Sequence, residues 1–271
     1  MQMTKEQLVV RLAEALKQNG FEAYKFEAKE IVDSVCKDAL SFSEVTSEQV
    51  RLVEKRLEQR LKNEPLQYIL GEWEFYGLPF KVGRGVLIPR QDTETVVEMA
   101  LPLVKVGYKK VLDLCAGSGC IGITLAKLGG AEVTLVEKSD EALQYLKQNV
   151  ELNQIGATVM QHDVLTDPFD SKVDMIVSNP PYIRTSVVET LSDDVKKEPK
   201  MALDGGRDGL VFYRHIAKHW KSTLKNGGYL IFEIGYDQES EVTEIMQNSG
   251  YKDVTCIKDL CQNPRVIMGR K

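Results

Sequence analysis

Histidine is scarce in this chain of 271 residues, which has only three, and the five cysteines do not pair by spacing. Cysteines 36, 115, 120, 256 and 261 are odd in number and none shows a C-x-x-C interval, so neither a disulfide framework nor a zinc site is expected. His215 and His219 share a helix face, but no third ligand stands near them in sequence, and no metal is expected. Long apolar runs are also missing. Nothing approaches the ~20 residues of a spanning helix, and Met1–Glu6 has no apolar leader core. The expectation is a cytoplasmic protein with no membrane partner. Positive charge is not in excess either: the net charge is −5, and residues 1–75 hold 11 Lys and Arg against 14 Asp and Glu. Non-specific grip on nucleic acid needs a positive field, so no direct nucleic-acid partner is expected. Internal repeats and low-complexity tracts are absent as well.

What is present is an ordinary globular composition, 43% hydrophobic and 28% charged. The first 62 residues read as helices. Thr4 with Gln7 and Thr46 with Gln49 form capping boxes, and Leu8, Leu12, Ala15 and Leu16 make an apolar stripe. Tyr24, Ala28, Ile31, Val32 and Val35 mark a second helix, and Val50, Val53, Leu57 and Leu61 a third. Arg51–Lys62 carries five cations and reads as a solvated face. Residues 1–64 are therefore expected to be a small helical bundle. Leu66–Leu70, Glu72–Phe75 and Pro79–Ile88 read as extended pieces broken by glycine, a hairpin linker over 65–90.

Beyond Pro89 the pattern alternates. A helix is expected from Asp92 to about Leu101, then strand Lys110–Leu114, helix Ile121–Leu128, strand Glu132–Val136, helix Asp140–Leu152 and strand Thr158–Gln161. Strand Val173–Ser178, a helix near Phe212–Leu224, strand Tyr229–Ile234, helix Gln238–Asn248 and strands near 253–257 and 264–268 complete the set. Seven strands alternating with helices over 91–271 imply an α/β, doubly wound and mostly parallel sheet.

Gly117, Gly119 and Gly122 follow the first of these strands and satisfy G-x-G-x-x-G, a pattern shared by dinucleotide sites. Asp113 argues for a different ligand. A carboxylate beside the turn would repel a pyrophosphate by several kcal/mol at an effective dielectric of ~20. S-adenosylmethionine has no phosphate and carries an ammonium and a sulfonium, so an acidic neighbour favours it. Glu137 ends the next strand, where an acidic residue can take ribose hydroxyls. Asp163, with Val164 after it, follows the third strand and can accept from an adenine amino group.

Asn179-Pro180-Pro181-Tyr182 follows the apolar run Met175-Ile176-Val177. Two prolines donate no N–H and cannot continue a ladder. The chain must leave the sheet there in a stiff turn at the edge where open α/β sheets bind ligands. The turn offers acceptors and a flat wall but no base, which suits a planar, weakly nucleophilic NH2 group.

With these residues in place, the chain resembles the HemK/PrmC family of protein-(glutamine-N5) methyltransferases. Pro65-Leu66-Gln67-Tyr68-Ile69, Val86-Leu87-Ile88-Pro89-Arg90, Thr93-Glu94, Ser178–Ile183, Glu198-Pro199, Ala202–Leu210 and Phe232-Glu233-Ile234-Gly235 carry the resemblance in order. Cys115-Ala116 and Gln91-Asp92 depart from the family pattern. The resemblance implies a Rossmann-like S-adenosylmethionine-dependent methyltransferase domain. From its position alone, the N-terminal helical domain is expected to dock the substrate, and a monomer is expected. The resemblance also implies that the substrate is the glutamine of a Gly-Gly-Gln motif in peptide chain release factors, and the product S-adenosylhomocysteine. The cofactor site implied comprises Asp113, Cys115, Ala116, Gly117, Ser118, Gly119, Glu137, Asp163, Val164 and Asn179. The substrate would meet Asn179, Pro180, Pro181 and Tyr182, with Asn179 and Pro180 catalytic. Competing readings are an amino methyltransferase for adenine N6 or guanine N2, a ribosomal-protein glutamine methyltransferase, a nicotinamide dehydrogenase and a non-catalytic binding module.

Overall fold

The computed structural model describes residues 3–37, 39–166 and 168–271; Met1 and Gln2, part of the stretch read for a leader, lie outside them. The chain divides into two compact units. One ends at Glu72 and takes in Asp193–Lys197; the other runs from Trp73 to Ser192 and from Glu198 to the end.

The first unit is helical: α1 (Lys5–Gln18), α2 (Tyr24–Val35), α3 (Ser47–Leu61) and α4 (Leu66–Leu70). Both expected capping boxes form, at Thr4 and Thr46. Three expectations fail here. Arg60 is not solvated: it is 8% exposed and its guanidinium donates to Glu27 through Nε at 2.7 Å and Nη2 at 3.1 Å. It also lies 4.3 Å from the centre of the Phe21 ring. Leu61, expected inside, is 37% exposed, because the apolar stem of Arg60 takes the inward position. Third, Leu66–Leu70 is a helical turn and not an extended piece. Pro65 has φ −53° and starts it, and Gly71 closes it in the left-handed region at φ 77°.

The second unit begins with a two-stranded sheet, β1 (Glu72–Phe75) and β2 (Leu78–Lys81), of which Trp73 is the first residue it owns. A 3₁₀ turn at Gln91–Thr93 precedes α5 (Glu94–Lys105), where the sequence suggested one helix from Asp92. Then follow β3 (Lys110–Leu114), α6 (Cys120–Gly129), β4 (Glu132–Glu137), α7 (Asp140–Leu152), β5 (Ala157–Gln161) and β6 (Val173–Ser178). Two one-turn helices, α8 (Thr185–Val188) and α9 (Lys200–Leu203), lead to α10 (Val211–His219), β7 (Leu224–Glu233), α11 (Glu239–Asn248), β8 (Lys252–Lys258) and β9 (Pro264–Arg270).

Seven strands form one sheet in the order β5-β4-β3-β6-β7-β9-β8. All neighbours are parallel except β9, which runs antiparallel to both β7 and β8. Alternation along β3 explains the two-sided core. Val111 packs in one cluster with α5, α6 and α7, while Leu112 and Leu114 pack in the other with Tyr213, Ile216 and Trp220. The strand order reverses between β3 and β6, which places a crevice at their carboxyl ends. Leu114 lies opposite Ser178 of β6 and Val136 of β4. The residues after all three strands therefore meet at one edge.

Candidate active site

That edge opens into a cavity of about 430 Å³. The glycine loop forms its floor. Cys115 has φ 61° and Gly117 φ 54°, so the chain turns back on itself twice within three residues. A Cβ on Gly117 would meet nothing, whereas one on Gly119 (φ 82°) would lie 2.4 Å from Leu146 Cδ1. Gly117 thus faces open space, and Gly119 holds a left-handed backbone that favours glycine, against the side-chain tips of Leu146 and Ile123. Cys115, Ala116, Gly117 and Ser118 line the cavity, and Gly119 does not. Burial, reinforced by the charge of Glu137, raises the Cys115 thiol well above its ordinary range, so it stays protonated.

Glu137 and Asp163 both line the cavity, as does Val164. Glu137 is already engaged: Oε2 accepts from the Gly117 N–H, and Oε1 from the N–H groups of Lys138 and Ser139, each at 2.8 Å. Three of the roughly four lone-pair positions of the carboxylate are taken. It therefore fixes the glycine loop as well as facing the cavity. Asp163 pairs with Lys138 at 2.7 Å and accepts from the Leu165 N–H at 2.9 Å. Burial pushes its carboxyl up, but Lys138 and Leu165 more than offset this and hold it below its ordinary value.

Asp113 does not face the cavity. It is 1% exposed, its Oδ2 accepts from the Gly122 N–H at 2.9 Å, and Oδ1 is buried without a hydrogen bond among the described residues. Burial raises its carboxyl to about 7, with Gly122 opposing and Glu137 adding to the rise. The charge argument that the sequence suggested for Asp113 thus passes to Glu137 and Asp163. The reason is alternation: Asp113 shares the face of Val111, beneath α6.

Asn179 and Pro181 line the cavity; Pro180 and Tyr182 flank it. Asn179 Nδ2 donates to Thr93 Oγ1 at 3.2 Å, and Oδ1 makes no hydrogen bond to a described residue. Tyr182, expected as a wall, turns its hydroxyl to Glu233 Oε1 at 3.3 Å. Its carbonyl accepts from Gln238 Nε2 at 3.0 Å. Opposite the turn, Ile88, Pro89, Arg90 and Thr93 complete the wall with Pro199. Glu198 joins these segments, accepting from the Ile88 N–H at 3.0 Å and pairing with Arg90. Thr93, Glu198 and Glu233 were visible only as motif letters; no periodicity or spacing signalled their roles.

The geometry has counterparts among known proteins. The PrmC N-terminal domain family matches residues 7–71 and the methyltransferase small domain family residues 95–232. A release factor glutamine methyltransferase of Clostridium botulinum is 42% identical over 270 residues, covering 94% of this chain and 95% of that protein. The chain belongs to the release factor glutamine methyltransferase family. Among solved structures, a methyltransferase from Pyrococcus furiosus aligns with a TM-score of 0.54 at 17% identity, covering 80% of this chain and 98% of that one. The Thermus thermophilus 16S rRNA N2 G1207 methyltransferase, solved with AdoMet and guanosine, aligns at 0.51 and 20% identity, covering 74% and 49%. These likenesses carry the fold alone, a Rossmann-like, mostly parallel α/β sheet, as the sequence led us to expect. This family member is accordingly an enzyme. Among the described residues no helix is long and apolar enough to cross a membrane.

Proposed function

We propose that the protein transfers a methyl group from S-adenosylmethionine to the side-chain amide nitrogen (N5) of the glutamine in the Gly-Gly-Gln motif of peptide chain release factors. The observation that carries this reading is Asn179. One of its two amide N–H groups is bonded to Thr93, which orients the side chain, and its carbonyl oxygen, with no partner among the described residues, can accept from a substrate at the cavity formed by the glycine loop.

The cavity residues fit the cofactor. Gly117 is open where a side chain would intrude, and Val136, Val164 and Phe212 offer apolar walls beside the carboxylates of Glu137 and Asp163. In this reading Cys115, Ala116, Gly117 and Ser118 cradle the methionine end, Glu137 takes the ribose and Asp163 with Val164 the adenine. When bound, the cofactor supplies a methyl carbon made electrophilic by a positive sulfur.

A carboxamide nitrogen is a poor nucleophile because its lone pair is delocalised. Asn179 Oδ1 and the Pro180 carbonyl accept its two hydrogens and hold the lone pair toward the methyl carbon, so that catalysis rests on positioning. The N–C bond forms as the C–S bond breaks, the sulfur leaves as the neutral thioether of S-adenosylhomocysteine, and the nitrogen gives one proton to water. The first unit docks the protein substrate. Removing residues 1–62 should then weaken methylation of a whole release factor far more than that of a short glutamine peptide.

Incubation with a radiolabelled methyl donor and purified release factor tests the assignment. Label should appear on the Gly-Gly-Gln glutamine and vanish when that glutamine is replaced. Label in oligonucleotides or a ribosomal protein, with none in the release factor, would refute it.

A further inference from the structure

The end of β7 stands behind the Asn179 turn and carries an acid that the reaction above does not use. Glu233 is 1% exposed. Its Oε1 accepts from the Tyr182 hydroxyl, while Oε2 is buried with no hydrogen bond among the described residues. A carboxyl held in this way costs stability, which is the signature of a group kept for its position. Burial raises its carboxyl and Asp92 adds to the rise, together outweighing Thr93, Arg265 and Tyr182, which favour the charged form. Its own backbone carbonyl accepts from the Tyr213 hydroxyl at 2.9 Å, which fixes the strand end.

We propose that Glu233 is a positioning residue for amide methylation: through the Tyr182 hydroxyl it anchors the turn that carries Asn179. The proposal rests on the reading of Asn179 as the group that orients the substrate. Tyr182 donates its hydroxyl to Glu233 and its carbonyl accepts from Gln238, so the residue after the two prolines is pinned at both ends.

Single-turnover methylation of release factor, calorimetric binding of S-adenosylhomocysteine and thermal melting, applied to the full chain, test this. Glu233→Ala and Tyr182→Phe should each slow methyl transfer about tenfold or more, as misplacement of a reacting group does. Affinity for S-adenosylhomocysteine should stay within about twofold, because binding and chemistry separate when only positioning is lost. Glu233→Gln, which keeps an acceptor oxygen in the same space, should restore most of the rate. The double variant should be no slower than the worse single one, as expected of a single contact. If Glu233→Ala does not fold, Tyr182→Phe decides. Unchanged rates in the folded variants overturn the proposal. So does a parallel loss of rate and S-adenosylhomocysteine affinity, or a Glu233→Gln enzyme no better than Glu233→Ala. A wild-type protein that methylates no glutamine would instead remove the proposed function itself, and this inference with it.

Discussion

Asn179 Nδ2 lies 3.2 Å from Thr93 Oγ1, across 86 residues of sequence. The amide that ends β6 is thereby oriented by a residue that precedes the whole sheet. The site is assembled between the 3₁₀ turn before α5 and the turn after β6, with the glycine loop beneath. Its polar geometry is a property of tertiary structure, even though each piece is a local motif.

Asn179→Ala removes the acceptor that aims the substrate nitrogen and should lower kcat by about 10²-fold or more, the scale for a preorganised polar contact. Single-turnover methylation with release factor, at saturating methyl donor, measures it. A folded variant with near-normal turnover would deny Asn179 the orienting role.

Glu137→Ala should act on binding and on stability together. It removes the face proposed for the ribose, so the KM for the methyl donor should rise with kcat less affected. It also strands the N–H groups of Gly117, Lys138 and Ser139, and loss of such partners costs on the order of 1–3 kcal/mol. Donor titrations and chemical denaturation check both effects. An unchanged KM with a lower melting temperature would leave Glu137 only the task of holding the loop.

Much of this was legible in the sequence because it depends on local periodicity. The alternation of strands and helices, the two capping boxes, the glycine loop and the strand-ending prolines announce themselves within a few residues. What stayed hidden depends on which face a residue takes or on partners far along the chain. Asp113 could be placed at a strand end but not turned, and one step of alternation separates the cavity from the underside of α6. Arg60 looked solvated because nothing nearby in sequence indicates Glu27, 33 residues away. Leu66–Leu70 lies between Pro65 and Gly71, a spacing that fits a single helical turn as well as an extended piece.

The pH dependence of stability follows from Asp113 and Glu233. Their ordinary values are 3.8 and 4.5, and in the fold, burial raises both to about 7. Between those limits the folded protein holds protons that the unfolded chain has released, so stability falls as pH rises. The contribution is full below about pH 4 and is lost as pH passes through about 7. The difference in melting temperature between wild type and an Asp113→Asn, Glu233→Gln double variant should therefore change across pH 5 to 8, with the wild type losing ground. Parallel curves would show that neither carboxyl is displaced.

The Glu27–Arg60 pair offers a test confined to the first unit. Both side chains are about nine-tenths buried, with two hydrogen bonds between them. Arg60→Ala leaves Glu27 charged and alone in the bundle, and breaking a buried pair from one side costs about 3–5 kcal/mol. It also removes the guanidinium from the Phe21 ring. Replacing both partners with apolar residues of similar volume should cost far less, since the stranded charge is then gone. Denaturation of Arg60→Ala should show an early transition of the helical unit, followed by the sheet unit near its wild-type midpoint. A loss below about 1 kcal/mol, the range of exposed pairs, would mean that water reaches Glu27 and that the pair is a surface contact in solution.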